Sequence, residues 1–577
     1  MKELYGCFDG YRKQLVLGPV FKLTEAILEL MVPLLMADII DVGIRNGDRA
    51  YVVTHGLFML MLGAVGLGCA LICQYFAAVC AQGFGRSLRK KLFRHVFSLS
   101  QREYGAIGTD SLITRLTSDV NQVQTGVNMF IRLAVRAPFL TVGSIVMALV
   151  IDWKIGLIFL VSTPLIVVVL YVIMNRSVPY YTEIQKGQDR ISRLAGENLE
   201  GVRVIRAFSR QKSEIETFDA AGDELARITV YVGKISAALN PITSVIVNLA
   251  IVLIVWFGAR FTDQGLLEQG QIIALVNYMT QTLLALIVLA NIIVILTRAL
   301  ASARRVEQIL EQKTSMEDVP QSALPVEGAP AIAFENVSFR YHSGGDAALE
   351  EITFSLEKGE TMGVIGGTGC GKTTLARLLA REYDVTGGSA KIDGVDVRSY
   401  TLSDLHQKVG LVPQTARLFS GTVRSNLKLG NEMADDAALW KALETAQGAE
   451  FVRSKPNGLD TVIEEGGKNL SGGQKQRLTI ARALAKQPQI LILDDSASAL
   501  DYATDAALRK ALHHDTRGMT VVMISQRAST IKNADRILVL DDGRMCGFGT
   551  HEQLLGSCEV YREICRSQKL LGEEDAQ

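Results

Sequence analysis

Four stretches of this chain run for more than twenty residues without one Asp, Glu, Lys or Arg: residues 50–85, 155–175, 235–259 and 269–297. A helix of ~20 apolar residues crosses the hydrocarbon core of a bilayer, where no water can satisfy a bare backbone. These runs therefore predict membrane-spanning helices. Two weaker stretches join them. Residues 137–151 are charge-free but short, between Arg136 and Asp152, and residues 14–44 are interrupted by Lys22, Glu25, Glu29, Asp38 and Asp41. Charges of that kind can sit at the interface or face the interior of a helix bundle. With both counted, six spans are expected, at about 14–44, 52–82, 135–152, 155–176, 235–259 and 269–298, in an α-helical transmembrane domain over 1–312.

Lys and Arg set the orientation. The connection over 86–136 carries nine of them and that over 176–234 carries ten, while the other connections are short and carry few. The positive-inside rule places the two long connections and both termini in the cytoplasm. Helical periodicity persists through these connections, as in Ile191, Leu194, Leu199, Val202 and Ile205. The spans are thus expected to continue as helices beyond the membrane and to reverse near 105–108 and 208–210. The opening MKELYGCFDGYRK leads to no short apolar core with a small-residue cleavage site, so no signal peptide is expected. Lys+Arg and Asp+Glu are balanced at 60 each, which excludes a generally basic nucleic-acid binder and an acidic disordered chain.

Beyond Arg298 the last helical pattern runs on through ASARRVEQILEQ. Residues 313–331, with Pro320, Pro325 and Pro330, have linker composition. From about 332 to 566 short β-branched runs alternate with helical patterns, as a soluble α/β domain requires, and 567–577 read as a solvated tail.

The chemistry lies in that second part. Gly366, Gly367, Thr368, Gly369, Cys370, Gly371, Lys372 and Thr373 match G-x4-G-K-[ST] directly after the apolar run TMGVI, with Thr374 next. Glycines let backbone N–H groups wrap phosphates, the Lys reaches the β- and γ-phosphates, and the Thr hydroxyl ligates Mg2+. ILIL followed by Asp494 reads as a buried strand ending in a carboxylate that would hold the same Mg2+. Leu470, Ser471, Gly472, Gly473 and Gln474 open a helical pattern some twenty residues earlier. A turn of small residues at a helix start suits a phosphate, although Ser471 would also serve as an ordinary N-cap.

In this order, Tyr341, the phosphate loop, Gln414, LSGGQ and ILILDD–SALD resemble the ATP-binding cassette (ABC) transporter family over nearly the whole chain. Six spans ahead of an α/β P-loop cassette resemble a half-transporter of the exporter type. The resemblance implies ATP and Mg2+ as ligands, with Tyr341 stacked on adenine and Gln414 sensing Mg2+ and the attacking water. It implies two cassettes closing head to tail. Each ATP would lie between one chain's phosphate loop and the other's Ser471–Gln474, with Asp501 in the loop crossing the interface. The tips near 105–111 and 207–213 would be the coupling helices.

The sequence departs from the family's pattern where the catalytic Glu is usual, which is Asp495, and where the switch His is usual, which is Gln526. Cys370 replaces a frequent Ser. An Asp is one methylene short, and ~1 Å of displacement can cost about 100-fold in rate. A Gln can hydrogen-bond a γ-phosphate but carries no proton or positive charge. With an intact LSGGQ, this combination resembles the degenerate-site subunit of bacterial heterodimeric multidrug exporters. The expected partners are a different half-transporter, the lipid bilayer of a bacterial inner (plasma) membrane and a hydrophobic or amphipathic compound, with no nucleic acid. A homodimeric lipid or drug flippase, slow at both sites, is the alternative. Glu25 and Glu29, at i and i+4 with Lys22 a turn before, form either an interfacial ion pair or a carboxylate pair facing the translocation cavity.

Overall fold

The computed structural model describes residues 2–342, 344–496, 500–515, 518–568 and 570. Ala497, Ser498, Ala499 and nearly all of the expected tail lie outside the described residues. The chain divides into two compact units, Met1–Phe97 with Thr109–Gln312, and Ser98–Gly108 with Lys313–Gln577.

In the first unit five helical stretches among the described residues are long and apolar enough to cross a membrane: Arg49–Ser98, Thr109–Ile151, Trp153–Glu200, Gln211–Asp263 and Gln269–Glu311. The first expected span forms the 27-residue helix Arg12–Asp38 but does not join that set. Three of its charges are paired within the unit: Lys22 Nζ lies 2.7 Å from Glu25, and Arg136 Nη2 lies 2.9 Å from Glu29. The two short-spaced runs around residue 152 are separated by one residue's chemistry. Asp152 is extended, and its carboxylate accepts from the backbone N–H of Lys154 and Ile155 at 2.9 Å, ending one helix and capping the next.

The helices are longer than a bilayer core requires. At 1.5 Å per residue, the 50-residue helix Arg49–Ser98 is ~75 Å long against a hydrocarbon core of ~30 Å. The turning points fall within the expected stretches, each preceded by a short helix. A short helix Gln101–Ile107 ends on Gly108 at φ +82°, and another, Val202–Ala207, runs into Phe208 and Ser209 at φ +53°. The first of these belongs to the second unit, where Ser100 Oγ lies 3.0 Å from Ser315 Oγ and donates to the buried Glu103.

The last helix, Gln269–Glu311, is held near both ends by buried aspartates from π-helical turns. Asp41, in the turn Ile39–Ile44, accepts from the Gly270 N–H at 2.6 Å. Asp119, in the turn Arg115–Asp119, accepts from Arg305 Nε at 3.0 Å and is 2% exposed. Single π turns inside α-helices re-aim side chains in this way.

The second unit carries the α/β domain. Its main sheet has six strands in the order Arg544–Gly549, Arg536–Asp541, Thr361–Gly366, Thr520–Ile524, Ile490–Asp494, Val409–Val412, parallel except for the first. Every residue of Ile490–Asp494 is buried, as a parallel strand covered on both faces requires. An antiparallel sheet of Leu349–Leu356, Ile332–Phe339, Gly387–Ile392 and Val395–Asp396 completes the core. Parallel pairing brings the carboxyl ends of Thr361–Gly366, Ile490–Asp494 and Thr520–Ile524 to one edge, where open α/β sheets bind ligands.

Candidate nucleotide site

The phosphate loop leaves the strand Thr361–Gly366 and enters the helix Lys372–Leu379. Gly371, its N-cap, sits at φ +98°, and a Cβ there would stand 2.5 Å from the Ala348 carbonyl oxygen and 2.6 Å from Leu349 Cδ2. Only glycine allows that approach in a left-handed conformation. Lys372 is 8% exposed, and its ammonium donates to the carbonyls of Gly366 (2.9 Å) and Gly367 (2.5 Å), with Cys370 Sγ 3.5 Å away. The loop thus holds a buried cation against its own acceptors, in a place where phosphate oxygens can replace them. Cys370 itself is buried.

At the next residue, Thr373 Oγ1 donates to Asp494 Oδ1 at 3.1 Å. A hydroxyl from the helix start and a carboxylate at the end of the strand Ile490–Asp494, in contact, are a hard-oxygen donor set suited to Mg2+. Burial pushes the Asp494 carboxyl above its ordinary range and the neighbouring Asp495 adds to this, while the Thr373 hydroxyl, Arg377 and Lys372 oppose it. Such a buried charge is relieved by a cation. Asp495 follows in the left-handed region at φ +45°, its N–H donating to the Ile524 carbonyl at 3.0 Å. Burial raises its pKa too, against the pull of Lys372, a hydrogen bond from the Gln414 side chain and one from the Gln526 backbone. Gln414, Asp495 and Gln526, far apart in sequence, therefore meet beside the phosphate loop.

Tyr341 packs edge-on against Phe339 and Tyr383 at ring centroid distances of 4.9 and 5.3 Å. Its hydroxyl lies 3.0 Å from Thr374 Oγ1 and 3.5 Å from Arg377 Nη1. Sequence reasoning passed over Arg377, Glu382 and Tyr383, which surround that hydroxyl and the Asp494 carboxylate. No local motif marks them, and only the fold brings them there.

The signature stands apart from these residues as a helix start. Ser471 caps Gly472–Ala485 through a reciprocal box, with Gln474 N to Ser471 Oγ at 3.3 Å and Ser471 N to Gln474 Oε1 at 3.1 Å. Ser471 and Gly472 are exposed, so the positive end of the helix and its small residues face outward. Asp501, also exposed, accepts from Thr504 N at 2.8 Å at the head of the helix Tyr502–Asp515.

Two families match this chain: the ABC transporter transmembrane region over residues 15–286 and the ABC transporter family over 349–498. A Bacillus subtilis protein described as an uncharacterized ABC transporter ATP-binding protein, YfiB, is 37% identical over 95% of both chains. The chain belongs to the ABC transporters. The ATP-dependent lipid A-core flippase of Chromobacterium violaceum is 31% identical, covering 98% of this transporter and 96% of its own length. The probable multidrug resistance protein YheI of B. subtilis is 30% identical over 100% and 98%. A solved bacterial Atm1-family ABC exporter with ATP bound shares the fold, with a TM-score of 0.78 over 99% of both chains at 24% identity. The transporter is thus an exporter half-transporter, a multi-pass membrane domain followed by an ATP-binding cassette, and it couples ATP hydrolysis to transport.

Proposed function

We propose that this transporter exports hydrophobic or amphipathic compounds as one half of a heterodimer in a bacterial inner membrane, with its own ATP site degenerate. Helix Arg12–Asp38 serves as a sixth span, three of its charges neutralised by Lys22–Glu25 and Glu29–Arg136. Thr373, Asp494 and Gln414 are the residues that would hold Mg2+, which when bound neutralises developing phosphate charge. Lys372 would give up its loop carbonyls to hold the β- and γ-phosphates, and Tyr341 would flank the base. Ser471, Gly472, Gly473 and Gln474 act on the partner's ATP.

The observation that carries the degenerate reading is the catalytic position itself. Asp495 is a short carboxylate, raised in pKa by burial and engaged by Gln414, beside a Gln526 that cannot carry a proton. A water-orienting base must reach the reacting atom, and that reach is weakened by a side chain one methylene short, with no proton-carrying residue at position 526. The relative named as a lipid A-core flippase supports the second reading, a slow homodimeric flippase.

Two substitutions separate the readings. Arg at Ser471 fills the space beside the partner's γ-phosphate, while Asp495→Asn alters only this chain's own site. In a heterodimer Ser471→Arg abolishes nearly all steady-state ATPase and Asp495→Asn retains most of it, with assembly checked by gel filtration. Equal inactivity of the two variants overturns the degenerate site and leaves the homodimer.

A further inference from the structure

The transmembrane unit contains a groove outside the nucleotide site and the expected span-to-span contacts. Its volume is about 420 Å3, and its walls come from four separate parts of the chain, among them Leu4 and Phe8 of the N-terminal segment, Phe84, Phe130, and Leu296 and Leu300 of the last helix. The lining is apolar throughout, the Tyr5 hydroxyl excepted. The N-terminal segment is fixed in place. Phe8 stacks on Phe84 at 4.5 Å between ring centroids, and Lys91 Nζ donates to the Glu3 carbonyl at 3.0 Å and pairs with its carboxylate. Several walls nevertheless stand open: Tyr5 is 67%, Phe130 49% and Leu300 41% exposed.

The depth of the groove is set by charge. Phe84 lies two residues before Arg86, Phe130 two before Arg132, and Leu296 two before Arg298, each at the cytoplasmic border of a charge-free or span-forming run. The groove therefore straddles the level where acyl chains meet headgroups on the cassette side. Its size excludes a helix. One turn of helix, ~10 Å wide and ~5.4 Å tall, already fills about 420 Å3, and Ala299 closes the floor so tightly on Gly126 that a Cβ there would stand 2.3 Å away. An unbranched hydrocarbon chain is thin enough to enter, and large exposed apolar walls favour it.

We infer that this groove binds one acyl chain of a phospholipid from the cytoplasmic leaflet, wedged between the N-terminal segment and the last helix. The inference rests on the family and on the cytoplasmic side of the cassette, and it holds whether the exported compound is a drug or a lipid. Because the groove touches the helix that leads into the linker, an acyl chain there would be felt at the cassette's covalent connection.

The test uses the assembled transporter in lipid nanodiscs containing phosphatidylcholine with brominated acyl chains. Trp153, Trp256 and Trp440 are replaced by Phe, and Leu300→Trp is the reporter. Leu71→Trp, exposed on the apolar run of Arg49–Ser98, reports ordinary surrounding lipid. Fluorescence of the Leu300→Trp protein is expected to be half-quenched at a several-fold lower mole fraction of brominated lipid than that of Leu71→Trp. Adding Val127→Phe, which fills the groove from its half-buried wall, should return the Leu300 response to the Leu71 level. Equal dependence at the two reporters overturns the inference in favour of ordinary lipid contact. No quenching at Leu300 overturns it in favour of a protein surface covering the groove. Retained ATPase in the reporter proteins keeps misfolding from mimicking either result.

Discussion

Gly371 offers the most direct check on how the nucleotide site is built. It occupies φ +98° at the start of the helix Lys372–Leu379, with the Ala348 carbonyl and Leu349 pressed against the place a side chain would take. An alanine there meets two costs. The left-handed conformation costs an L-residue roughly 1–2 kcal/mol. Its Cβ would also lie 2.5 Å from a backbone oxygen, which cannot rotate away, and forcing such an overpacked position costs about 1–3 kcal/mol. Together, Gly371→Ala should destabilise the cassette by about 2–5 kcal/mol, or ~4–20 °C in unfolding midpoint for a domain of this size. Gly367→Ala, in the same loop, is the control: its φ is not positive and a Cβ meets nothing within 4 Å. The assay is thermal unfolding followed by Trp440 fluorescence, with Trp153 and Trp256 replaced by Phe, without nucleotide. Midpoints of the two variants that coincide would refute the packing argument, since both lose a glycine and differ only in conformation and crowding.

Two further outcomes follow from burial. Because burial raises the folded-state pKa of Asp494 above that of the unfolded chain, its charge carries no penalty in acid, where both states are protonated, and a penalty that appears as pH rises through the folded value. Asp494→Asn should therefore raise the unfolding midpoint at pH 7 while Mg2+-dependent ATP binding at this chain's own site weakens, and the gain should shrink as pH is lowered toward the ordinary carboxylate range; a gain independent of pH would mean the charge is not its source. Among the described cysteines Cys546 is exposed and Cys370 is buried. Maleimide should modify Cys546 first with ATP binding unchanged, and Cys546→Ser should remove that first labelling event, as read by peptide mass mapping.

The nucleotide site was legible because its chemistry is local. Gly366 to Thr373 must be contiguous to wrap a phosphate, so a single motif declares them, and Ser471 and Gln474 reveal their helix start through the spacing of a capping box. What escaped was whatever depends on distant parts of the chain meeting. The cluster of Arg377, Glu382 and Tyr383 exists only once the parallel sheet is assembled, and the meeting of Gln414 with Asp495 was implied by the resemblance and by no local spacing. The first expected span was blurred for a related reason. Hydropathy counts Lys22, Glu25 and Glu29 as charges, whereas the structure presents two ion pairs, one of them to Arg136, which is 107 residues away. The reversal tips are legible because glycine and a left-handed serine mark them, whereas the grouping of Ser98–Gly108 with the cassette unit is carried by no local spacing and was implied only by the resemblance, which makes that tip a coupling helix.

The two aspartate clamps on the last helix constrain length more than composition. Between Gly270 and Arg305 the helix turns by 100° for each residue, so one inserted residue would swing one anchor about a third of the way around relative to the other. Asp41 and Asp119 reach from separate helices and cannot both follow such a rotation. A descendant of this chain can exchange lipid-facing Ile for Val or Leu along that stretch at little cost, but it cannot add or drop a residue there without releasing one end. The spacing between the anchors acts as a ruler, and insertions that function permits in this transporter should accumulate in its loops and linker rather than in this helix.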